Sequence, residues 1–427
     1  MSTILIKNGT LIDGSGSKRY LADILIENEK IKKIGKLDLT ADKVIDASGK
    51  IVSPGFIDTH SHSDLKVLIE PFVEPKIRQG ITTEILGQDG ISMAPLPEEY
   101  VSSWRKNLAG LDGDSDELKW DWKNTDGYLN LISKTGSGPN ELYLVPHGNI
   151  RMEAMGLEAR VATKEELEKM KEITRREMEA GVAGLSTGLI YIPCAYAETE
   201  ELIEICKVAA EYGRPLVIHQ RSEADTMLES MQEVIRIAKE SGVKIHFSHF
   251  KICGQKNWKL IEPVIALLDK CKEEGINVSY DQYPYVAGST MLGVILPPWA
   301  HAGGTDKLIE RLKDKSLREK MKKDIIEGIP GWDNFIDFAG FDGIYVTSVK
   351  TDKNQDCIGK NLTEIAEMRA KEKFDAVFDD LIKVFSTTPV DASSIDSNLE
   401  ELSNTGGLED KQHTSYDDID IFSYESL

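Results

Sequence analysis

Cysteine is scarce. The 427-residue chain holds five, Cys194, Cys206, Cys253, Cys271 and Cys357, and no two of them form a Cys-x-x-Cys pair. A set so sparse and odd in number argues against a disulfide framework and reads as reduced thiols inside a cell. No run of about 20 apolar residues occurs, so no membrane-spanning helix is expected. The start, MSTILIKNG, lacks the basic residues and long apolar stretch of a secretory leader, and a cytoplasmic location is expected. Positive charge is also short: 51 Lys plus Arg stand against 72 Asp plus Glu, a net charge of −21. That balance disfavours nucleic acid or an anionic membrane surface as the main partner and leaves a small molecule.

What is present changes along the chain. Residues 1–53 read as a small β-rich unit. ILIKNGTLIDG alternates apolar and polar, ADILIENEKIKKIG reads as a hairpin turning at Asn28 and Glu29, and KVIDASGKIVSPG turns at Asp46–Gly49. From about residue 54 to 385, short apolar runs alternate with charged helical stretches. The runs are IVSPGFIDTHSH, ITTEILGQDG, ELYLVPHGN, GVAGLSTGLIYIP, PLVIHQRSE, KIHFSHFK and INVSYDQYPYV, seven in all. Helical stretches such as TKEELEKMKEITRREMEAG and ETEELIEICKVAAEYG carry acids early and end at Gly. Repeated strand-then-helix order predicts an α/β fold with a parallel sheet, open or closed into a barrel. Beyond it, TDKLIERLKDKSLREKMKKDIIEG and NLTEIAEMRAKEKFDAVFDDLIKVF each read as one helix, with a short strand in GIYVTSVKT. Residues 386–427 are Ser/Asp-rich; after Ser386 ten acidic residues face one lysine, a net of −9, and the segment reads as a disordered acidic tail.

The chemistry-bearing residues gather at strand ends. His60 and His62 are two apart, so on an extended chain their side chains point the same way. PLVIH ends in His219 and KIHFSH in His249. His246, three positions before His249, is expected to face the helices. Imidazoles gathered at one mouth would repel if protonated, whereas a divalent metal takes up their lone pairs. Asp89, between Gly87 and Gly90 after the second strand, is either a turn residue or a carboxylate completing such a site. His147 ends the third strand and is a candidate for a supporting or substrate-contacting role.

With the blocks PGFIDTHSHSD, QGITTEILGQDGISMAPL, GLSTGLIYIP, HQRSE, SHFKICGQKNW, DQYPYVAGST and LPPWAHAGG, the chain from about residue 3 to 385 resembles the amidohydrolase superfamily. Within it the chain is similar to the N-acyl-D-amino-acid deacylases, or D-aminoacylases. The resemblance implies a TIM-like (β/α) metal-dependent hydrolase barrel preceded by part of a β-sandwich. It implies metal ligation by His60, His62, Asp89, His219 and His249, usually of zinc, and a pocket lined by Lys251, Tyr283 and Ser289. Familiar members carry cysteine at the position of Asp89; a carboxylate there is a harder ligand and makes Co or Mn easier to accept. The implied activity is hydrolysis of non-peptide C–N amide bonds in a small N-acyl amino acid.

Two family features are missing. The general base is an Asp ending the eighth strand, in a Ser-Asp-Gly-like context, and a His-Pro-Arg motif then grips the substrate carboxylate. Neither string follows Phe385, and no eighth strand is legible, so an incomplete barrel and impaired turnover are expected. DDIDIF, Asp417 to Phe422, only faintly resembles a returning sandwich strand. A non-catalytic, metal-binding relative is the alternative reading. A cyclic amidase of the hydantoinase or dihydropyrimidinase kind ranks lower, because no lysine ends the fourth strand in GLSTGLIYIP.

Overall fold

The computed structural model describes residues 2–349, 352–386 and 421–422. Most of the segment read as an acidic tail lies outside the described residues.

The first sheet comes from the N-terminal unit. Strands β1 (Thr3–Leu11), β2 (Tyr20–Glu27), β3 (Lys30–Gly35), β4 (Lys43–Asp46) and β5 (Ile51–Val52) form one five-stranded sheet. The hairpin turns at Asn28 and Glu29, both with positive φ (48° and 66°), as a tight two-residue hairpin demands. Strands β4 and β5 do not pair with each other; each lies parallel to β1. A second sheet that would complete a sandwich is absent among the described residues.

The main sheet is wholly parallel. Its strands are β6 (Phe56–Asp58), β7 (Ile81–Leu86), β8 (Asn140–Pro146), β9 (Gly184–Gly188), β10 (Leu216–His219), β11 (Ile245–Phe247) and β12 (Val278–Tyr280). They pair in strict sequence order, one per apolar run, with β6 and β12 as the two edges. Helices between successive strands bury their apolar stripe against the sheet, as parallel sheets require. Lys164–Glu179 starts at a capping box, Thr163 with Glu166, and buries Met170, Ile173 and Met178. No eighth strand joins this sheet among the described residues. The two edges are wet: Phe56 and Ile57 on β6 are 62% and 61% exposed, and Tyr280 on β12 is 51% exposed. The sheet nevertheless curls until His60, just past β6, lies 3.9 Å from Asp281, just past β12.

Three expectations beyond the sheet change. The charged stretch after Gly304 forms two helices, Thr305–Lys313 and Lys315–Glu327. Asp314 leaves helical geometry and caps the second one by accepting from Ser316 N and Leu317 N. The last stretch also splits, into Leu362–Met368 and Lys373–Ser386, with Ala370 at φ 51° between them. Ile421–Phe422 pairs with Ile344–Tyr345 rather than returning to the N-terminal sheet.

Candidate metal centre

Each candidate donor is delivered by the C-terminal end of a main-sheet strand, the end that carries the active site in barrels of this kind. Strand β6 stops at Asp58, but the chain continues beside β7, with Ser61 N donating to Ile85 O at 3.3 Å. The chain bends at Thr59 and His60, yet His60 and His62 still face one another, their rings meeting edge-on with centroids 5.3 Å apart. Strand β7 runs into Gly87 and then Asp89, whose φ of 56° is left-handed. His249, two residues past β11, is also left-handed at φ 35°. A non-glycine residue in that region costs about 1–2 kcal/mol, so packing must hold both.

Around Asp89 that packing is explicit. Gly87 N donates to Asp64 Oδ1 at 2.8 Å, Gly90 N to Ser186 Oγ at 3.2 Å, and Ser186 Oγ to Gly87 O at 2.5 Å. A Cβ at Gly188 would lie 2.3 Å from Asp89 O, nearer than any real contact. Gly188→Ala is therefore expected to displace the Asp89 loop, with about 1–3 kcal/mol lost in a urea titration and a parallel loss of divalent-metal affinity.

The donors converge. His60 Nε2 is 3.5 Å and His62 Nε2 3.3 Å from Asp89 Oδ2, while His249 Nε2 is 3.6 Å from Asp89 Oδ1. His219 Nδ1 is 2.9 Å from His249 Nε2. Two groups result that could each hold an ion, His60–His62–Asp89 and Asp89–His219–His249, with Asp89 common to both. Donors sharing one tetrahedral ion at about 2.0–2.1 Å stand about 3.3 Å apart, so the observed spacing fits. The buried atoms His60 Nδ1, His219 Nε2 and Asp89 Oδ1 have no hydrogen-bond partner.

Electrostatics agree with a site of this type. Burial would raise the Asp89 carboxyl, but His60, His249 and His62 around it hold it well below the usual range. Burial lowers His60 and pulls His219 down to about 3, leaving neutral imidazoles with lone pairs. At His62 burial opposes protonation, yet Asp112 and Asp89 push the ring up to about 10. An ion there must displace that proton, so metal affinity rises with pH.

A cavity of about 520 Å³ opens over these donors, and Lys251, Tyr283 and Ser289 all line it. The Lys251 ammonium is already held by Glu223 Oε2 at 2.7 Å and His249 O at 2.9 Å. It lies 5.5 Å from the Tyr283 ring centroid, and the Tyr283 hydroxyl is buried without a partner.

Two expectations fail. His246 does not pack against the helices: its Nδ1 bonds Ser279 Oγ at 2.8 Å and its Nε2 bonds Asp281 Oδ2 at 2.9 Å. Strand alternation from His249 back to His246 breaks down because β11 ends at Phe247 and His249 is left-handed. His147 does not line the cavity. It is fully buried, with Nδ1 2.9 Å from Thr187 Oγ1 and Nε2 2.9 Å from Glu201 Oε1. Three carboxylates that the strand-end pattern does not single out also meet the histidines: Asp112, Glu223 and Asp281. Glu223 and Asp281 lie inside quoted strand-end blocks, where a signal existed; Asp112 sits in an irregular loop and gives none.

An amidohydrolase family model matches residues 43–264. A D-aminoacylase from Alcaligenes xylosoxydans xylosoxydans is 36% identical over 290 residues, 68% of this chain and 58% of that protein. The chain thus spans somewhat more than half the length of this relative. The crystal structure of N-acyl-D-glutamate deacylase from Bordetella bronchiseptica, complexed with zinc and a phosphonate mimic of the tetrahedral intermediate, superposes with a TM-score of 0.72. It is 29% identical and covers 90% of this chain and 74% of its own. A D-aminoacylase described as having a binuclear metal center, with one-metal activation and second-metal attenuation, gives a TM-score of 0.70 at 30% identity. It covers 88% of this chain and 69% of its own.

Proposed function

Since this chain belongs to the amidohydrolase family, within its D-aminoacylase branch, we propose that it is a metal-dependent hydrolase that removes the acyl group from N-acyl-D-amino acids. The observation that carries this is the meeting of four imidazoles from three strand ends on one carboxylate, beneath a cavity large enough for such a substrate. In this reading residues 54–385 carry the chemistry and residues 1–53 form an accessory β unit. Five free, buried cysteines support action in a reducing compartment, the cytoplasm.

His60 and His62 with Asp89 would hold one ion, and His219 and His249 with Asp89 a second. A bound divalent ion brings the pKa of water toward neutrality and polarises an amide carbonyl. Zinc is the ion named for a similar deacylase. The donor set here is nitrogen and oxygen only, with no thiolate, which favours acceptance of Co or Mn as well.

The protein's own groups do the rest. Lys251, once released from Glu223, offers a cation to the substrate carboxylate. Tyr283 presents its unpaired hydroxyl to the same cavity, and Ser289 lines the cavity as a polar contact. Glu223, buried, and Asp281, half-buried, are carboxylates lining the cavity beside the histidines, and both are already engaged by hydrogen bonds. Proton transfer to the leaving amine therefore lacks a free, dedicated base among the described residues, and turnover should be about 10²–10⁴-fold below that of a complete enzyme of this kind.

The test is release of free D-amino acid from N-acetyl-D-amino acids by the zinc-, cobalt- or manganese-loaded chain. Slow, metal-dependent release is expected, none from the L-isomers, and none after His60→Ala or His249→Ala. Tight metal binding with no release of any N-acyl-D-amino acid would favour a non-catalytic metal-binding protein instead.

A further inference from the structure

The four histidines share a second feature besides facing Asp89. Each ring has a remaining nitrogen, and in each case that nitrogen is turned toward an outer carboxylate. His62 Nδ1 is 2.9 Å from Asp112 Oδ1, and His249 Nδ1 is 3.1 Å from Glu223 Oε1. His219 Nε2 stands 4.0 Å from Glu223 Oε2. His60 Nδ1 is the incomplete case: it is buried, has no hydrogen-bond partner, and faces Asp281 Oδ2 at 3.9 Å.

Asp281 is well placed and firmly held. Its Oδ1 accepts from His249 N at 2.5 Å, and its Oδ2 is 2.9 Å from His246 Nε2. Its backbone is tied to β11, with Asp281 N donating to Phe247 O at 3.1 Å and Asp281 O accepting from Phe250 N at 2.9 Å. It therefore belongs to the far edge of the sheet, while His60 belongs to the near edge. No backbone hydrogen bond joins those edges.

We infer that Asp281 is the positioning carboxylate of His60, and that it draws the two free edges of the parallel sheet together when His60 takes up a metal ion. The inference rests on the metal-site reading given above. An imidazole that binds an ion through Nε2 carries its proton on Nδ1, and such a proton almost always finds a carboxylate, carbonyl or water. For His62 that partner is already in place, while His249 Nδ1 stands between Glu223 Oε1 at 3.1 Å and the Lys251 ammonium at 3.0 Å. For His60 the remaining gap is about 1 Å beyond hydrogen-bonding reach. Closing it moves β6 toward β12, because Asp281 is fixed to β11 and the residues just past it by four hydrogen bonds and cannot swing freely.

Zinc affinity, measured by chelator competition on the whole chain, tests this without reference to turnover. Asp281→Asn is expected to weaken zinc binding by about 10–100-fold, the usual cost of losing such a partner. In a His60→Ala background the same substitution should cost nothing further, because Asp281 acts through His60. In a His219→Ala background it should still cost its full factor. Equal losses in all three backgrounds would mean a general structural role and overturn the inference. Zinc should also slow amide exchange at Phe56–Asp58 and Val278–Tyr280 in the unaltered protein but not in Asp281→Asn. Zinc bound with no slowing at either edge would overturn the closure, and this measurement on the unaltered chain decides even if Asp281→Asn fails to fold. Failure of the unaltered chain to bind zinc would sink the metal-site reading itself, a result distinct from an unchanged affinity in Asp281→Asn.

Discussion

Asp89→Ala is expected to lower divalent-metal affinity by well over 100-fold, more than any other single substitution at the site. Loss of a partner outside the metal sphere costs about 10–100-fold, and Asp89 is a donor itself. It is also the one residue common to both donor groups, so its removal takes an oxygen from each at once. Without it, His60, His62 and His249 would lose the anion that now offsets their mutual repulsion. Chelator competition on the purified protein measures the loss. An affinity within a few-fold of the unaltered chain would show that the histidines bind elsewhere or not at all. Asp89→Asn, which keeps the shape and removes the charge, should fall between the two.

Glu201→Ala is expected to destabilise the fold by about 3–5 kcal/mol in a denaturant titration, with His147→Ala close behind. Glu201 Oε1 is engaged by two buried cations at once, His147 Nε2 at 2.9 Å and Arg151 Nε at 3.0 Å. Removing the carboxylate leaves both without their counter-charge in a fully buried place. Burial alone would keep His147 neutral, but the Cys194 sulfur and the Glu201 carboxylate push its pKa up to about 9. The sign of the pH effect follows from a folded pKa above the unfolded value of about 6.5. The stabilisation is complete below that pH and is lost as pH rises toward and through 9. The gap in stability between the unaltered protein and His147→Ala should therefore narrow on going from pH 6 to pH 10. A gap that widened would contradict the protonated pair.

The parallel sheet was legible because its signals are local. Seven apolar runs are separated by six charged stretches, each with a glycine near its end, and each run forms one strand in sequence order. The convergence of His60, His62, Asp89, His219 and His249 was legible for the same reason: each ends a run, and strand ends of such a sheet share one mouth. What escaped depends on contacts distant in sequence. Nothing in LDGDSD announces that Asp112 will meet His62 fifty residues earlier. The role of His246 was misread because side-chain alternation was carried past the true end of β11, through a left-handed residue that resets it. His147 shared the strand-end signal yet turned inward, fully buried, where Thr187 and Glu201 meet it. The two helical stretches split where the sequence has neither proline nor glycine: at the single residue Asp314 in one, and over residues 369–372, with Ala370 left-handed, in the other.

The donors at His60, Asp89, His219 and His249 lie on four different strand ends scattered over the first three-fifths of the chain. An unfolded polypeptide cannot gather them, so an ion recognises only the assembled form. An ion taken up there would thermodynamically be a clamp on the curled sheet, and saturation at 100 times its dissociation constant would add about 2.7 kcal/mol to the folded state. For a sheet that leaves two edges in water, the stability of the fold would then follow the supply of a trace element.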